Sequence, residues 1–196
     1  MRRINEMEKL IYIFEQAKNK NQLISLLSKN QEWEDRRIGF VLSYDDKKVV
    51  IQELDNLGKK KKQKEILISK ISVIEFADEY MHNLLQMHQS NVDFRQGKAK
   101  YLNFTNKPTK IKRLIELCKS AEICTFMVSN DNYLTGFITE VMTDGLLIQC
   151  VGYDGNYDGI AIINLDRLEQ IRTAGTLEKK IAFLSNLPNK RKLNWE

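Results

Sequence analysis

Four consecutive lysines, Lys59 to Lys62, with Lys64 beyond Gln63, are the sharpest charge feature of this chain. A basic run neutralises phosphates, and each contact releases condensed counterions, so the chemistry it points to is polyanion binding. Arg36, Arg37, Lys47 and Lys48 extend the patch in sequence, and Tyr44 offers a ring on which a base can stack. Other aromatic residues near the run are few. The bland alternative is a solvated lysine loop, following the Gly58 turn, that keeps a sheet edge soluble.

A second loop has the opposite character. Tyr153-Asp154-Gly155-Asn156-Tyr157-Asp158-Gly159 is acidic and rich in glycine. Asp154, Asn156 and Asp158 alternate as in the first half of an EF-hand calcium loop, yet the twelfth position, where a bidentate Glu is needed, is Leu165. A hairpin loop in which Asp, Asn and Gly take left-handed turns accounts for the same residues without a cation. His82 and His88 have no Cys or His partner at ligand spacing, and Cys118, Cys124 and Cys150 lack metal-ligand spacing. No phosphate loop, nucleophile elbow or HExxH motif occurs. These observations imply a protein that is not an enzyme, needs no cofactor or metal, and keeps its thiols reduced and largely buried in the cytoplasm.

The two loops occupy equivalent places in an internal duplication. Residues 39–76 align with 136–173 without a gap, at a constant offset of 97. Gly39-Phe40 becomes Gly136-Phe137, Ile51-Gln52 becomes Ile148-Gln149, Gly58 meets Gly155, and Ile66 and Ile74 meet Ile163 and Ile171. Apolar positions stay apolar while surface residues drift, the mark of a repeated fold whose packing is retained. The first copy carries six acidic and eight basic residues and the second six and two. The contrast points to different partners for the two halves, or to complementary contact between them.

The elements around the loops follow from periodicity. Ile4, Met7, Leu10, Ile11 and Phe14 make one apolar helical stripe, which either packs on its own sheet or serves as an oligomer or partner interface. Leu23, Ile24, Leu26 and Leu27 read as a short second helix stopping at Asn30. Strands are expected at 38–43, 49–54, 65–69 and 72–76, then a helix through Tyr80, Leu84 and Met87. In the second half a helix follows Pro108, strands run over 123–128, 133–142, 146–151, 160–165 and 168–172, and Leu177, Ile181 and Leu184 close it. Asp131-Asn132 and Asp144-Gly145 read as hairpin turns, the latter of type I′. The expected domains are 1–88 and 109–196, joined by a linker at 89–108 and ending in a basic tail. Trp33 and Trp195 lie outside the aligned block, where an exposed Trp would mark a contact.

This order gives an α+β fold of two tandem, small, five-stranded antiparallel barrels, each flanked by helices. It resembles the Sm-like barrel family, with related SH3-like barrels, through Gly39-Phe40-Val41, Asp45-Asp46 and Val49-Val50-Ile51, and again through Gly136-Phe137-Ile138, Asp144 and Leu146-Leu147-Ile148. Sm-like RNA binders also carry an Asn after the second strand and an Arg-Gly or Lys-Gly pair near the fourth. Here Ser69-Lys70 and Asp166-Arg167 stand in the later turn. The resemblance therefore implies the fold and not the uracil pocket.

Two binding functions follow from these features. The first is recognition of another protein, as an adaptor, inhibitor or immunity-type protein, using Tyr153, Asp154, Asn156, Tyr157 and Asp158 in the second copy. The alternative is single-stranded RNA or DNA binding through Arg36, Arg37, Tyr44, Lys47, Lys48, Lys59, Lys60, Lys61, Lys62 and Lys64. The longest apolar stretches are about five residues, against the roughly 20 that span a bilayer, so no membrane partner is expected; the N-terminal segment does not read as a signal peptide. Pairing of strand edges between copies would give a homo-oligomer.

Overall fold

A computed structural model of the chain describes residues 6–29, 32–103, 107–128 and 132–188. Ile4, Asn30, Asp131 and Trp195 fall outside these residues, as do the side chains of Met7 and Pro108. The chain divides into two compact units, Met1–Val92 and Asp93–Glu196. It is a mixed α+β protein with one antiparallel sheet per unit.

In the first unit, helix α1 (Glu6–Asn19) precedes strands β1 (Leu23–Ser28), β2 (Arg37–Tyr44), β3 (Lys48–Leu54), β4 (Lys60–Leu67) and β5 (Ile71–Phe76), and α2 (Glu79–Ser90) follows. The sheet order is β4-β3-β2-β1-β5. In the second unit, β6 (Lys100–Asn103) and α3 (Lys107–Ser120) precede β7 (Cys124–Val128), β8 (Asn132–Val141), β9 (Gly145–Val151), β10 (Tyr157–Asn164) and β11 (Leu168–Thr173), and α4 (Thr176–Ser185) closes it. The order there is β10-β9-β8-β7-β11-β6. A single 3-10 turn separates β4 from β5 and β10 from β11. Among the described residues no pairing joins the two ends of either sheet, where the expected barrel would close.

Leu23–Leu27 is a strand, not a helix. Leu23 to Leu26 are buried in succession, and β1 lies between β2 and β5, with both faces covered. A continuous apolar run of this length suits a doubly covered strand as well as a short helix, so periodicity alone could not separate them. The second copy settles the identity. Ile24, Ser25, Leu26 and Leu27 correspond to Cys124, Thr125, Phe126 and Met127 at an offset of 100, with the same burial, and both strands shift register one residue later. The duplication therefore extends through the leading helix, where Phe14 matches Leu114 and Ala17 matches Leu117. A longer β1–β2 connection in the first unit, with its 3-10 turn at Trp33–Asp35, absorbs the change of offset.

One face of each sheet holds the main core. Phe14 and Ala17 of α1 pack with Ile24, Leu26, Val41, Val49, Ile51, Ile66 and Ile68, and Leu10 and Ile13 join them. The α1 stripe thus covers its own sheet. In the second unit Leu114 and Leu117 pack with Phe126, Ile138, Leu146, Ile148, Ile163 and Ile171. The closing helix takes the opposite face, where Ile181 meets Ile123 and Val151. Of the expected linker at 89–108, the first residues complete α2 and the first unit, and from Asp93 on it belongs to the second unit, where β6 pairs with β11 and Phe94 is buried against Phe183 at 5.4 Å between ring centres. The Asp144-Gly145 turn is not type I′, because neither residue has positive φ.

Gly39 and Gly136 permit the bend between the second and third strands. A Cβ at Gly39 would collide with the carbonyl oxygen of Gln52, and one at Gly136 with that of Gln149. The colliding atoms are backbone and cannot move aside. Gly39→Ala and Gly136→Ala are each expected to lower the unfolding free energy by about 3 kcal/mol, the upper part of the overpacking range, in chemical denaturation.

Candidate functional site

The lysine run is an edge strand rather than a flexible loop. The turn itself spans only Asp55–Lys59, fixed by the Asp55 carboxylate, which accepts from the backbone N–H groups of Leu57 (2.9 Å) and Lys59 (3.0 Å). Lys60 to Leu67 then pair with β3 along nearly its whole length. Several of the candidate cations are committed inside the unit. Lys61 Nζ lies 2.7 Å from the Glu53 carboxylate, whose residue is 5% exposed, and Arg37 lies 3.4 Å from the same group. Lys48 pairs with Glu65 at 2.8 Å, a contact that raises the ammonium's pKa but is open to solvent and adds little stability. The backbone N–H groups of Lys47 and Lys48 hold the Asp45 carboxyl below its ordinary pKa.

Arg36 is similarly occupied. Its guanidinium sits over the rings of Trp33 (5.3 Å) and Tyr80 (5.1 Å) and contacts Glu75 and Asp78 at 3.4 Å each. Burial raises the pKa of the Tyr80 phenol. Trp33, at 45% exposure, is thus part of a local cation–π stack. Tyr44 packs against the core beside Phe14 and is no free stacking platform. The structure therefore does not unite the ten candidate residues into one basic patch. Lys59, Lys60, Lys62 and Lys64 are left without an acidic partner among the described residues.

Each unit carries a groove between the last turns of its closing helix, the second strand and the residue after the leading helix. In the first unit it has a volume of about 650 Å³, with Phe40 and Leu42 on β2, His88 and Gln89 on α2, and Lys59 and Lys60 at the β3–β4 turn. His88 Nδ1 donates to the Gly58 carbonyl at 2.8 Å and its ring packs on Phe40 at 5.4 Å. Gly58 is required here: its φ is +76°, and a Cβ would sit 2.6 Å from the His88 backbone nitrogen. The second unit's groove, about 500 Å³, has the equivalent positions Ala121, Phe137, Ala182, Ser185 and Asn186. Its chemistry differs, because Glu122 and Glu178 line it and Lys179 donates to the Gln96 carbonyl.

Glu178 is 2% exposed. Its Oε1 accepts from Thr125 Oγ1 at 2.5 Å and Arg172 Nε at 2.8 Å, and Oε2 has no partner among the described residues. Burial pulls the Arg172 pKa down, and the contacts with Glu178 and Tyr101 together raise the net value. The Asp154 loop is a tight turn in which Asp154 accepts from Asn156 N (2.9 Å) and Nδ2 (2.7 Å). Strands, not helices, flank it, and no group of three or more potential metal ligands occurs among the described residues. Tyr153 is 70% exposed at its tip, Asp158 is exposed, and Tyr157 is half-buried at the start of β10.

The sheet edges differ most between the units, and the sequence reading missed one of them. In the second unit β6 covers β11, with Leu102 opposite Ile171 and packed on the core. Leu168, Ile171 and Thr173 are buried there. In the first unit β5 is itself the edge. Its equivalents Ile71 and Ile74 are half-buried, Val73 is 37% exposed and Phe76 is 41% exposed. The one signal for β6 was the Tyr101-Leu102 pair inside an otherwise polar segment. On the other edge of the second unit, Ile160 and Ile162 of β10 are exposed where β4 carries Gln63 and Glu65.

No protein family, curated protein or solved structure matches the chain. No helix among the described residues is long and apolar enough to cross a membrane.

Two outcomes follow from the buried groups. Arg172→Met leaves the Glu178 carboxylate buried with Thr125 alone and is expected to cost about 3 kcal/mol of stability, measured by urea unfolding. Burial pushes the Cys124 thiol up to about 12 and raises Cys150, so at pH 8 a thiol-reactive dye should label Cys118 in the folded protein and all three cysteines only after unfolding.

Proposed function

We propose that the chain is a non-enzymatic binding or regulatory protein of the adaptor, inhibitor or immunity type. It is built on two tandem Sm-like or SH3-like folds and acts by recognising another polypeptide. The leading helix, the strand order β4-β3-β2-β1-β5 and the 3-10 turn before the fifth strand support that fold reading. Three cysteines without a disulfide suit a cytoplasmic setting.

The observation that carries the function is the β5 edge, which pairs with no strand beyond β1 among the described residues. The same position in the second unit is filled by an antiparallel strand, beside which Ile171 and Thr173 are buried where Ile74 is half-buried and Phe76 exposed. An extended segment of a partner, with an apolar side chain opposite Ile74 as Leu102 lies opposite Ile171, completes the first sheet by strand addition. The nucleic-acid reading is weaker, because Arg36, Arg37, Lys48 and Lys61 are internally paired and Tyr44 belongs to the core.

The test compares the native chain with Val73→Lys/Phe76→Lys, which places charges along the edge. Partner capture is expected to survive nuclease and to be lost in the variant, while light scattering reports whether a second copy is the occupant. Capture that is abolished by nuclease, with steep salt dependence, would instead establish nucleic-acid binding.

A further inference from the structure

We infer that the groove of the first unit is a binding site for a small ligand of the nucleotide class, a phosphate ester attached to a flat ring. The site is separate from the β5 edge. Its walls supply only donors or neutral groups. Lys59 and Lys60 come from the β3–β4 turn, Gln52 from β3, Asn21 from the end of α1, and His88, Gln89 and Asn91 from the end of α2; no carboxylate lines it. Phe40 and Leu42 form an apolar strip on β2, with Leu85 on the helix side. The volume of about 650 Å³ lies within the range of small-molecule sites, which combine apolar lining with a few placed polar groups.

Charge decides which end of a ligand goes where. The last turn of α2 presents roughly −0.5 of an elementary charge, which disfavours an anion. The two ammonium groups bring four times as much charge of the opposite sign, and neither has an acidic partner among the described residues. A phosphate is therefore drawn to Lys59 and Lys60, at the turn held by Gly58 and His88. The amide side chains, each both donor and acceptor, match the edge of a base, and Phe40 and Leu42 offer its face an apolar contact.

The duplicate groove provides an internal contrast. Its lining has Ser185 at the position of His88, together with Glu122, Glu178 and Lys179, and the equivalents of Lys59 and Lys60, Asn156 and Tyr157, lie outside that lining. The same fold thus built one groove whose charged lining among the described residues is lysine alone and one whose lining mixes two glutamates with a lysine. A general need for solubility would not confine unpaired lysines to the pocket mouth of one copy and leave Asn156 and Tyr157 at the same positions of the other.

The test is calorimetric titration of the full chain with inorganic phosphate, with nucleoside monophosphates and with a short single-stranded oligonucleotide, across salt. Lys59→Gln/Lys60→Gln is compared with Lys62→Gln/Lys64→Gln, whose side chains lie outside the groove. A mononucleotide is expected to bind more tightly than phosphate, and the groove variant to weaken it by about tenfold or more. The strand variant should leave mononucleotide binding unchanged. Oligonucleotide binding that also depends on Lys59 and Lys60 identifies the phosphate source as a nucleic-acid chain end. The proposal is overturned by no binding of any probe at millimolar concentration, by phosphate alone binding as well as the nucleotide, or by equal losses in both variants. Amide chemical shifts at Gly58–Lys60 and His88 locate the ligand independently, and no change there on saturation also overturns it.

Discussion

The close approach of two backbone strands at Gly39 and Gly136 is the constraint on which each unit rests. With a side chain there, β2 could not lie against β3, nor β8 against β9, at the observed bend. The bend lets a single sheet curl around Ile51 or Ile148 and receive the leading helix on its inner face. It also turns the outer face into a seat for the closing helix, and the turn after the third strand is pressed against that helix so tightly that Gly58 and Gly155 have no room for a Cβ. Two glycines per unit thus fix two helices on one sheet. Apart from Ile51, Gln52, Ile66 and Ile74, they are the positions where the aligned copies remain identical alongside Phe40.

What evolution left free is the perimeter. Charged side chains guard β4, while β10 at the same place exposes Ile160 and Ile162. A strand covers β11 and leaves its counterpart β5 bare. Grooves at equivalent places hold two lysines in one unit and two glutamates with a lysine in the other. Cores of this kind tolerate divergence only where apolar volume is conserved, whereas edges and grooves change with little penalty to folding.

Most of the strand framework was legible because alternation, turn residues and the repeat agreed with one another. Leu23–Leu27 was not, since a strand buried on both faces shows no alternation, and the repeat was hidden by a longer β1–β2 connection that changes the offset. Lys60–Lys64 was misplaced because lysine has weak strand preference, and only pairing with β3 makes it regular. The site was legible in part. The lysines stood out as charge, but which of them are neutralised depends on Glu53 and Glu65, residues whose relevance appears only once strands are in register. The groove escaped notice because Phe40, Gln52, Lys59 and His88 come from four separate elements.

The pair of buried Glu178 with partly exposed Arg172 has a consequence for how a chain made of two similar halves avoids misassembly. At the equivalents of Arg172 and Glu178 the first unit has Glu75 and Met81. Were α4 to dock on the wrong sheet, its carboxylate would meet Glu75 at the equivalent position, where Arg36 is already shared between Glu75 and Asp78. Were α2 to take the place of α4, Arg172 would lose its partner to a thioether. Exchange of closing helices is a standing hazard for tandem repeats during synthesis. A reversal of charge at one sheet position, opposite a carboxylate that is itself 2% exposed, favours each helix on its own half.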